Sequence, residues 1–231
     1  FTFQLVLSEN QLTGEIPPEI GQLTSLNRLD LRNNELTGHI PSSIGQLTNL
    51  KYLYLSNNQL SGPIPDSIGN MISLEWIRLN RNFITGIIPD QIGQLINLQL
   101  LDLSNNNLIG PIPKTIGNLE NLSKLYLHNS LLSHNESNNN LGGKIPNAIC
   151  NTGINWEGIT GDMVTHASFY DNEFCDPYPI CIENSSYLEL IMGYQYTLNC
   201  FDWDCYDCAQ HNIDPTPWVG CYENGQFGCQ Y

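Results

Sequence analysis

The sequence is short of charged residues, and the shortage is uneven. Only 13% of the 231 residues are Asp, Glu, Lys or Arg, about half of the usual quarter, and no Lys or Arg follows residue 144. No apolar run is long enough for a transmembrane helix. The N-terminus FTFQLVL also lacks the basic segment and cleavage site of a signal peptide. The formal net charge of −15 argues against a nucleic-acid partner, because such a partner requires a basic surface.

The motifs of common catalytic sites are missing as well. The chain contains no GxSxG, HExxH, Walker A or GxGxxG motif. Its histidines, at positions 39, 128, 134, 166 and 211, follow no ligand spacing. We therefore predict a protein that is not an enzyme and that uses no cofactor and no metal.

What the sequence has in abundance is a 24-residue repeat rich in Leu and in its 29 Asn residues. The first strand column is Leu5, Leu29, Leu53, Ile77, Leu101 and Leu125, and the second is Leu7, Leu31, Leu55, Leu79, Leu103 and Leu127. Asn follows at 10, 34, 58, 82 and 106, Gly at 14, 38, 62, 86 and 110, and Ile-Pro at 16–17, 40–41, 64–65, 88–89 and 112–113. So many coordinated columns indicate a solenoid of stacked coils.

Each column of the repeat has a physical role. Leu-x-Leu alternates with period two, which predicts a short strand with its leucines inward. One coil cannot bury that face alone, so neighbouring strands pair into a parallel sheet. The Asn amide can satisfy backbone groups of its own and the adjacent coil. The stretch Pro-x-x-Ile-Gly-x-Leu is too short for a stable α-helix and favours a 3₁₀ turn on the convex side.

The pattern LxxLxLxxNxLTGxIPxxIGxL resembles the plant-type extracellular leucine-rich repeat of receptor-kinase ectodomains, polygalacturonase inhibitors and bacterial surface proteins. The resemblance covers residues 2–149. It implies a leucine-rich-repeat solenoid of about seven coils, mostly β with 3₁₀ turns, whose concave sheet is parallel. It also implies a second short sheet at the Gly-x-Ile-Pro step, and an extracellular or cell-surface recognition protein, which we expect to bind a protein, peptide or glycan on its concave face.

We predict two domains. The solenoid occupies residues 1–174, with an insertion at 128–138 that delays the sixth Asn to Asn139, and a degenerate last coil at 164–174. That last coil places Ala167, Phe169, Asn172 and Phe174 in the Leu, Leu, Asn and Leu columns. Residues 175–231 form an acidic, Cys-rich cap for the end of the stack. The insertion is interpreted as a solvated loop or as a contact loop beside the concave face.

The cysteines concentrate at the C-terminal end. They are Cys150, Cys175, Cys181, Cys200, Cys205, Cys208, Cys221 and Cys229. An even number in an extracellular type of repeat protein predicts a disulfide framework, whose pairing stays open apart from a favoured local bridge between Cys175 and Cys181. Two weaker alternatives are zinc on Cys200, Cys205 and Cys208, and calcium on the acidic run at 202–207.

The outward positions of the strands supply the candidate binding residues. They carry five of the eight basic residues together with aromatic residues, the types enriched at binding hot spots. The predicted contact set is Arg28, Arg32, Tyr52, Tyr54, Trp76, Arg78, Arg81, Asp102, Lys124 and Tyr126. We expect Tyr52 to contact Trp76, and Arg78 to lie between Tyr54 and Asp102 with a cation–π contact and an ion pair. The alternative is that Tyr and Trp are simply good strand formers.

Two further expectations concern modification and assembly. Sequons predict possible N-glycosylation at Asn121, Asn135 and Asn184. The first coil lacks a matching cap, so either residues that precede it or a second molecule would cover its open edge. An alternative function is therefore a structural or adhesive surface protein that assembles through its solenoid ends.

Overall fold

The chain folds into a solenoid of stacked coils in which each complete coil repeats strand, turn, second strand and 3₁₀ helix. The structure is a computed structural model, and it describes residues 3–129, 139–156, 167–169, 172–175, 177–185 and 192. The predicted leucine-rich-repeat solenoid with a parallel sheet and 3₁₀ turns is confirmed.

The inward Leu-x-Leu strands form one seven-stranded parallel sheet on the concave side. Its strands, in order, are β1 (Phe3–Val6), β3 (Leu26–Asp30), β5 (Tyr52–Tyr54), β7 (Trp76–Arg78), β9 (Leu100–Asp102), β11 (Lys124–Tyr126) and β13 (Ala167–Ser168). From β3 to β11 each residue pairs with the residue 24 positions along, as Leu29 pairs with Leu53. Equivalent side chains of successive coils therefore lie side by side.

The Gly-x-Ile-Pro steps form the second row of short strands that the family resemblance implied. A two-stranded pair joins β2 (Thr13–Glu15) and β4 (Glu35–Thr37), and a five-stranded sheet joins β6 (Ser61–Pro63), β8 (Phe83–Gly86), β10 (Asn107–Gly110), β12 (Asn140–Lys144) and β14 (Glu173–Cys175). The glycine of this step has a positive φ, +78° at Gly110, which explains why the column holds Gly.

The convex side is a row of 3₁₀ helices. They are η1 (Pro18–Gln22), η2 (Ser42–Gln46), η3 (Asp66–Asn70), η4 (Asp90–Gln94), η5 (Lys114–Asn118) and η6 (Asn147–Asn151). Adjacent helices pack so closely that a Cβ on Gly45 would lie 2.4 Å from the carbonyl oxygen of Ser67. From η1 to η5 the Ile-Gly pair therefore buries the Ile and lets the next coil approach.

Leucine and isoleucine from all three rows fill a continuous core between the sheets and the 3₁₀ helices. Side chains such as Leu53, Leu79 and Leu101 are fully or almost fully buried. Because each coil contributes the same positions, the pattern of buried residues repeats with the sequence, and all coils share one core.

The Asn column forms a ladder, as the repeat predicted. Asn58 Nδ2 donates to the carbonyl oxygens of Leu31 and Leu55, and its Oδ1 accepts from the N–H of Leu36. Asn82 and Asn106 make the equivalent bonds one and two coils further on. The buried turns that leave the strands are thus satisfied by side chains of the neighbouring coil.

Where the sequence departs from the repeat, the late Asn residues still take the structural role of the Asn column. Asn139, the late Asn after the insertion, donates to Leu103 and Leu127 and accepts from the N–H of Leu108. Asn172 continues the ladder by donating to Leu127 and Phe169. Residues 130–138 of the predicted insertion lie outside the described residues.

The disulfide at the C-terminal end corrects one prediction. Cys181 pairs with Cys150, with Cα atoms 5.6 Å apart, so the predicted Cys175–Cys181 bridge is wrong. The short helix α1 (Ile180–Glu183) buries Ile182 and packs against η6, which brings Cys181 to the last coil. Cys200, Cys205, Cys208, Cys221 and Cys229 lie outside the described residues, so the rest of the framework and the boundary of the cap at residue 175 stay predictions.

Candidate functional site

Two arginines on the concave sheet share one buried carboxylate. Asp30 is completely buried, and its Oδ2 accepts a 2.6 Å hydrogen bond from Arg28 Nη2. Arg32 Nε lies 3.1 Å from Asp30 Oδ1, an ion pair by distance in which the N–H is not aligned for a hydrogen bond. Because Asp30 orients both side chains, we call Arg28 and Arg32 the paired arginines.

Tyr54 lies under three guanidinium groups. Its ring centroid is 4.9 Å from Arg28 Cζ, 5.6 Å from Arg32 Cζ and 5.7 Å from Arg78 Cζ. Burial raises the pKa of the Tyr54 hydroxyl, and the three positive charges partly offset that rise. The side chain is 6% exposed, so Tyr54 supports the arginines and offers no open face to a ligand.

The predicted contact of Tyr52 with Trp76 is present, with an edge-to-face geometry. The ring centroids are 5.9 Å apart and the planes meet at 87°, an arrangement that aromatic pairs favour. Tyr52 donates its hydroxyl proton to Glu75 Oε2 at 3.1 Å, and Lys51 also pairs with Glu75. The hydrogen bond from Lys51 lowers the pKa of the Glu75 carboxyl, and the bond to Glu75 raises the pKa of Tyr52.

Asp102 does not form the predicted ion pair with Arg78. Its Oδ1 instead accepts hydrogen bonds from the hydroxyl of Ser104 at 2.6 Å and the N–H of Ser104 at 3.2 Å. Burial raises the pKa of the Asp102 carboxyl although hydrogen bonds from Ser104 and the charges of Arg78 and Arg81 act in the opposite direction. The cation–π half of the prediction is confirmed, since Arg78 Cζ lies 5.7 Å from the Tyr54 centroid.

Arg78 and Arg81 differ from the paired arginines. Arg78 stacks on Tyr54 and Trp76, both at 5.7 Å, but within the described part of the chain its guanidinium has no ion pair or hydrogen bond. Arg81 is exposed; its backbone bonds to the adjacent coils, but among the described residues its side chain has no hydrogen-bond or ion-pair partner. We call these two residues the open arginines.

The backbone at Arg81 is in the left-handed region, with φ at +57°. The equivalent positions of three other coils hold Asn33, Asn57 and Asn105, with φ between 54° and 55°, and the first coil holds Glu9 at +59°. Asn tolerates this conformation better than most other residues with a side chain. Asn therefore occupies three of these five positions, and Arg81 places an exposed cation at the same turn.

The last predicted contacts lie toward β13. Lys124 is exposed, and burial raises the pKa of the partly buried Tyr126. Tyr126 packs edge-to-face on His128, with centroids 6.3 Å apart. His128 Nδ1 hydrogen-bonds with the Ser168 hydroxyl, and burial lowers the pKa of His128 to about 4.

Sequence reasoning missed four residues of this surface. Asp30 and Ser104 occupy outward positions of the repeat, but nothing in the sequence shows that Asp30 would pair with Arg28 or that Ser104 would bond to Asp102. Glu75 precedes the column of Tyr52 and Trp76, and its pairing with Lys51 follows from the 24-residue register. His128 belongs to the same column as Arg32, a signal that could have placed it on the surface.

The sequon sites and other groups add little to the candidate site. Asn121 Nδ2 donates to the carbonyl oxygen of Ile96, and Asn184 is exposed just after α1, while Asn135 lies outside the described residues. In the part of the chain that the structure describes, no group of three His, Cys, Asp or Glu side chains could hold a metal ion. The helices described there are also too short and polar to cross a membrane.

Two family models match the repeats. A leucine-rich repeat region matches residues 4–86, and a leucine rich repeat model matches residues 72–132. The chain belongs to the leucine-rich-repeat family. No curated protein matches the chain.

Solved leucine-rich-repeat ectodomains of plant receptor kinases share the fold. The ectodomain of GASSHO1/SCHENGEN3 from Arabidopsis thaliana, in complex with CASPARIAN STRIP INTEGRITY FACTOR 2, is 35% identical with a TM-score of 0.67 over 80% of this chain and 20% of its own. The peptide hormone receptor RGFR1 in complex with RGF2 is 34% identical with a TM-score of 0.61, over 76% and 28% of the two chains.

A third leucine-rich-repeat ectodomain extends the comparison. HAESA from Arabidopsis, in complex with an N-terminally extended IDA peptide hormone ligand, is 30% identical with a TM-score of 0.60, over 78% of this chain and 31% of its own. The chain therefore spans about a fifth to a third of the length of these ectodomains.

Proposed function

We propose that this chain is a non-enzymatic, extracellular recognition module that binds an extended peptide along its concave sheet. The observation that carries the proposal is the concentration of arginine and aromatic side chains on that one surface of a strongly acidic chain. Arg28, Arg78 and Trp76 are linked there through the Tyr54 ring and the contacts between neighbouring strands. Such ordered aromatic and arginine side chains lose little freedom on binding.

The geometry favours a peptide over a glycan. Tyr54 is covered by guanidinium groups, and Tyr52 meets Trp76 edge-to-face, so these rings do not form a flat platform on which successive sugar rings could stack. The six strands β1 to β11 span about 24 Å, which an extended peptide of about seven residues would cross. The similar ectodomains described with a peptide hormone or as a peptide hormone receptor support the same ligand class.

Binding to a synthetic peptide library tests this proposal. Pools of C-terminally amidated peptides of about eight residues, matched to the span of the sheet, are incubated with wild type and with Trp76→Ala. Peptides should bind wild type, and Trp76→Ala should weaken their binding by about 2 kcal/mol, since a hot-spot aromatic is removed. Binding that is unaffected by Trp76→Ala, or that occurs only with glycans in a parallel array, would overturn the proposal.

A second candidate function rests on the first coil. Leu7 and Leu12 are 40% and 38% exposed, and a cavity at this end is lined by Leu5, Ile16 and Ile20. An apolar end of this kind suits a structural or adhesive protein whose copies assemble end to end. Light scattering after size exclusion would support assembly if the mass rises with concentration, and a constant monomer mass would exclude it.

A further inference from the structure

The arginines of the concave sheet fall into two groups that differ in how their charge is balanced. The paired arginines share the carboxylate of Asp30, which is completely buried and bonded to Arg28 at 2.6 Å. Their geometry is fixed within the chain, and half of their charge is neutralised. A ligand anion would have to compete with Asp30 for these guanidinium groups.

Within the part of the chain that the structure describes, the open arginines have no such carboxylate. Arg78 is held from below by Tyr54 and Trp76, at 5.7 Å from each ring, while its Nε is buried and has no partner within the described residues. The nearest candidate, Asp102, already accepts two hydrogen bonds from Ser104 on one oxygen. A guanidinium that is stacked, oriented and unpaired is prepared to receive an anion in a bidentate manner.

Arg81 adds an independent observation. Its φ of +57° is a conformation for which three other coils use Asn, at 33, 57 and 105, and the first coil uses Glu9. An arginine there costs backbone strain, and such strain persists where the side chain has another role. Arg81 follows Arg78 by three residues, at the turn that leaves β7, so the two cations belong to the same coil.

The position of the open arginines fixes where the anion would lie in a bound peptide. They belong to the coil of β7, with Tyr52 of β5 on one side and Tyr126 of β11 on the other. A peptide that crosses all these strands passes over the open arginines at its middle. The complementary group is therefore a side chain within the peptide.

We propose that Arg78 and Arg81 bind the side-chain carboxylate of an Asp or Glu in the interior of the peptide ligand. This inference rests on the proposed function, because it names the chemistry of the same concave site. Arg78 supplies the stacked, bidentate contact, and Arg81 supplies a second positive charge from the exposed turn. The ligand class is thus a linear peptide with an internal acidic residue.

The test uses the full chain and the same pools of C-terminally amidated peptides, with an acidic residue allowed at every position. Selected peptides should carry Asp or Glu at one internal position, and its change to the amide should weaken binding by about tenfold or more. Arg78→Gln should cause a similar loss for the acidic peptide and almost none for its amide counterpart. That non-additivity is the signature of a direct contact.

Two further variants guard against trivial explanations. Arg81→Asn restores the residue that neighbouring coils use, so its fold should be retained while acidic peptides bind several-fold more weakly. Lys114→Gln, on the convex helix η5, makes the same change of charge away from the concave sheet and should not alter binding. Circular dichroism and the unfolding midpoint show whether each variant remains folded.

The outcomes separate this inference from the proposed function. If no peptide binds in a manner that depends on Trp76, the proposed function fails. If peptides bind and depend on Trp76 but show no internal acid preference, or if Arg78→Gln weakens acidic and amide peptides equally, only the carboxylate site is overturned. A requirement for a free C-terminal carboxylate in place of the internal acid would overturn it as well.

Discussion

The two halves of the concave sheet share one backbone but balance their charges differently. At β3 and β5, Asp30 is buried and neutralises part of the charge of Arg28 and Arg32. At β7 and β9, Asp102 accepts hydrogen bonds from Ser104, and among the described residues the Arg78 guanidinium makes aromatic contacts alone. The same register that aligns Leu29 with Leu53 also aligns Asp30, Tyr54, Arg78 and Asp102 in one outward column.

This difference shows that the inward and outward sides of a repeat follow separate rules. The inward side repeats because every coil must fill the same core and satisfy the same turn. The outward side is free to vary, so one coil can hold a closed ion cluster while its neighbour keeps cations unpaired.

The largest expected effect is a loss of unfolding free energy that should be equal in both halves of the concave sheet. Asn58→Ala and Asn106→Ala each remove bonds to two carbonyl oxygens and one buried N–H. Each should lower the free energy of unfolding by about 3 kcal/mol, since buried polar groups are left unsatisfied. Urea unfolding measures both, with the exposed Asn121→Ala as a control that should cost under about 1 kcal/mol. A large difference between the two ladder variants would contradict a uniform inner structure.

A smaller effect should distinguish the two carboxylates. Asp30→Asn leaves two partly buried guanidinium groups without their counter-ion, and we expect it to cost about 2 kcal/mol of unfolding free energy. Asp102→Asn should cost less than about 0.5 kcal/mol at neutral pH, because burial already disfavours its charged form. Equal costs in urea unfolding would mean that the halves are not differently paired.

The fall in the free energy of unfolding at acidic pH should depend partly on His128. Its pKa is lowered from 6.5 to about 4 by burial, so below pH 6.5 the unfolded chain binds a proton that the folded chain excludes. Stability should therefore fall as the pH falls through this window, by about 2 kcal/mol between pH 6.5 and pH 5 from this group alone. His128→Gln should remove that part of the slope. Identical slopes for wild type and His128→Gln would refute this role.

The smallest effect concerns the strained turn of the open half. Arg81→Asn replaces a residue at φ +57° with the one that other coils use, and it should raise the free energy of unfolding by about 0.5 kcal/mol. Arg81→Ala is the matched control, because it removes the charge but keeps an ordinary side chain in the left-handed region. A gain of equal size in both variants would attribute the effect to charge repulsion instead of backbone conformation.

Much of the inner structure was predictable, and less of the outer surface. The columns of Leu, Asn and Gly placed the strands, the ladder and the 3₁₀ helices, and even the late Asn139 took its expected role. The contact of Tyr52 with Trp76 and the stacking of Arg78 on Tyr54 followed from the 24-residue register. The partners of Asp102 and Cys181 did not, because each residue had several partners within reach of its side chain.

The sequence by itself determined the coil, its period and which side chains face the core, because a repeated pattern of burial and turn conformation has one compact solution. Only the tertiary structure decided which charges neutralise one another. Asp30 pairs with two arginines, Asp102 accepts hydrogen bonds from Ser104, and Arg78 stacks on aromatic rings with no ion-pair partner in the described ranges. Competition among neighbouring polar groups depends on distances of a few tenths of an ångström, and the spacing of residues along the chain does not encode differences that small.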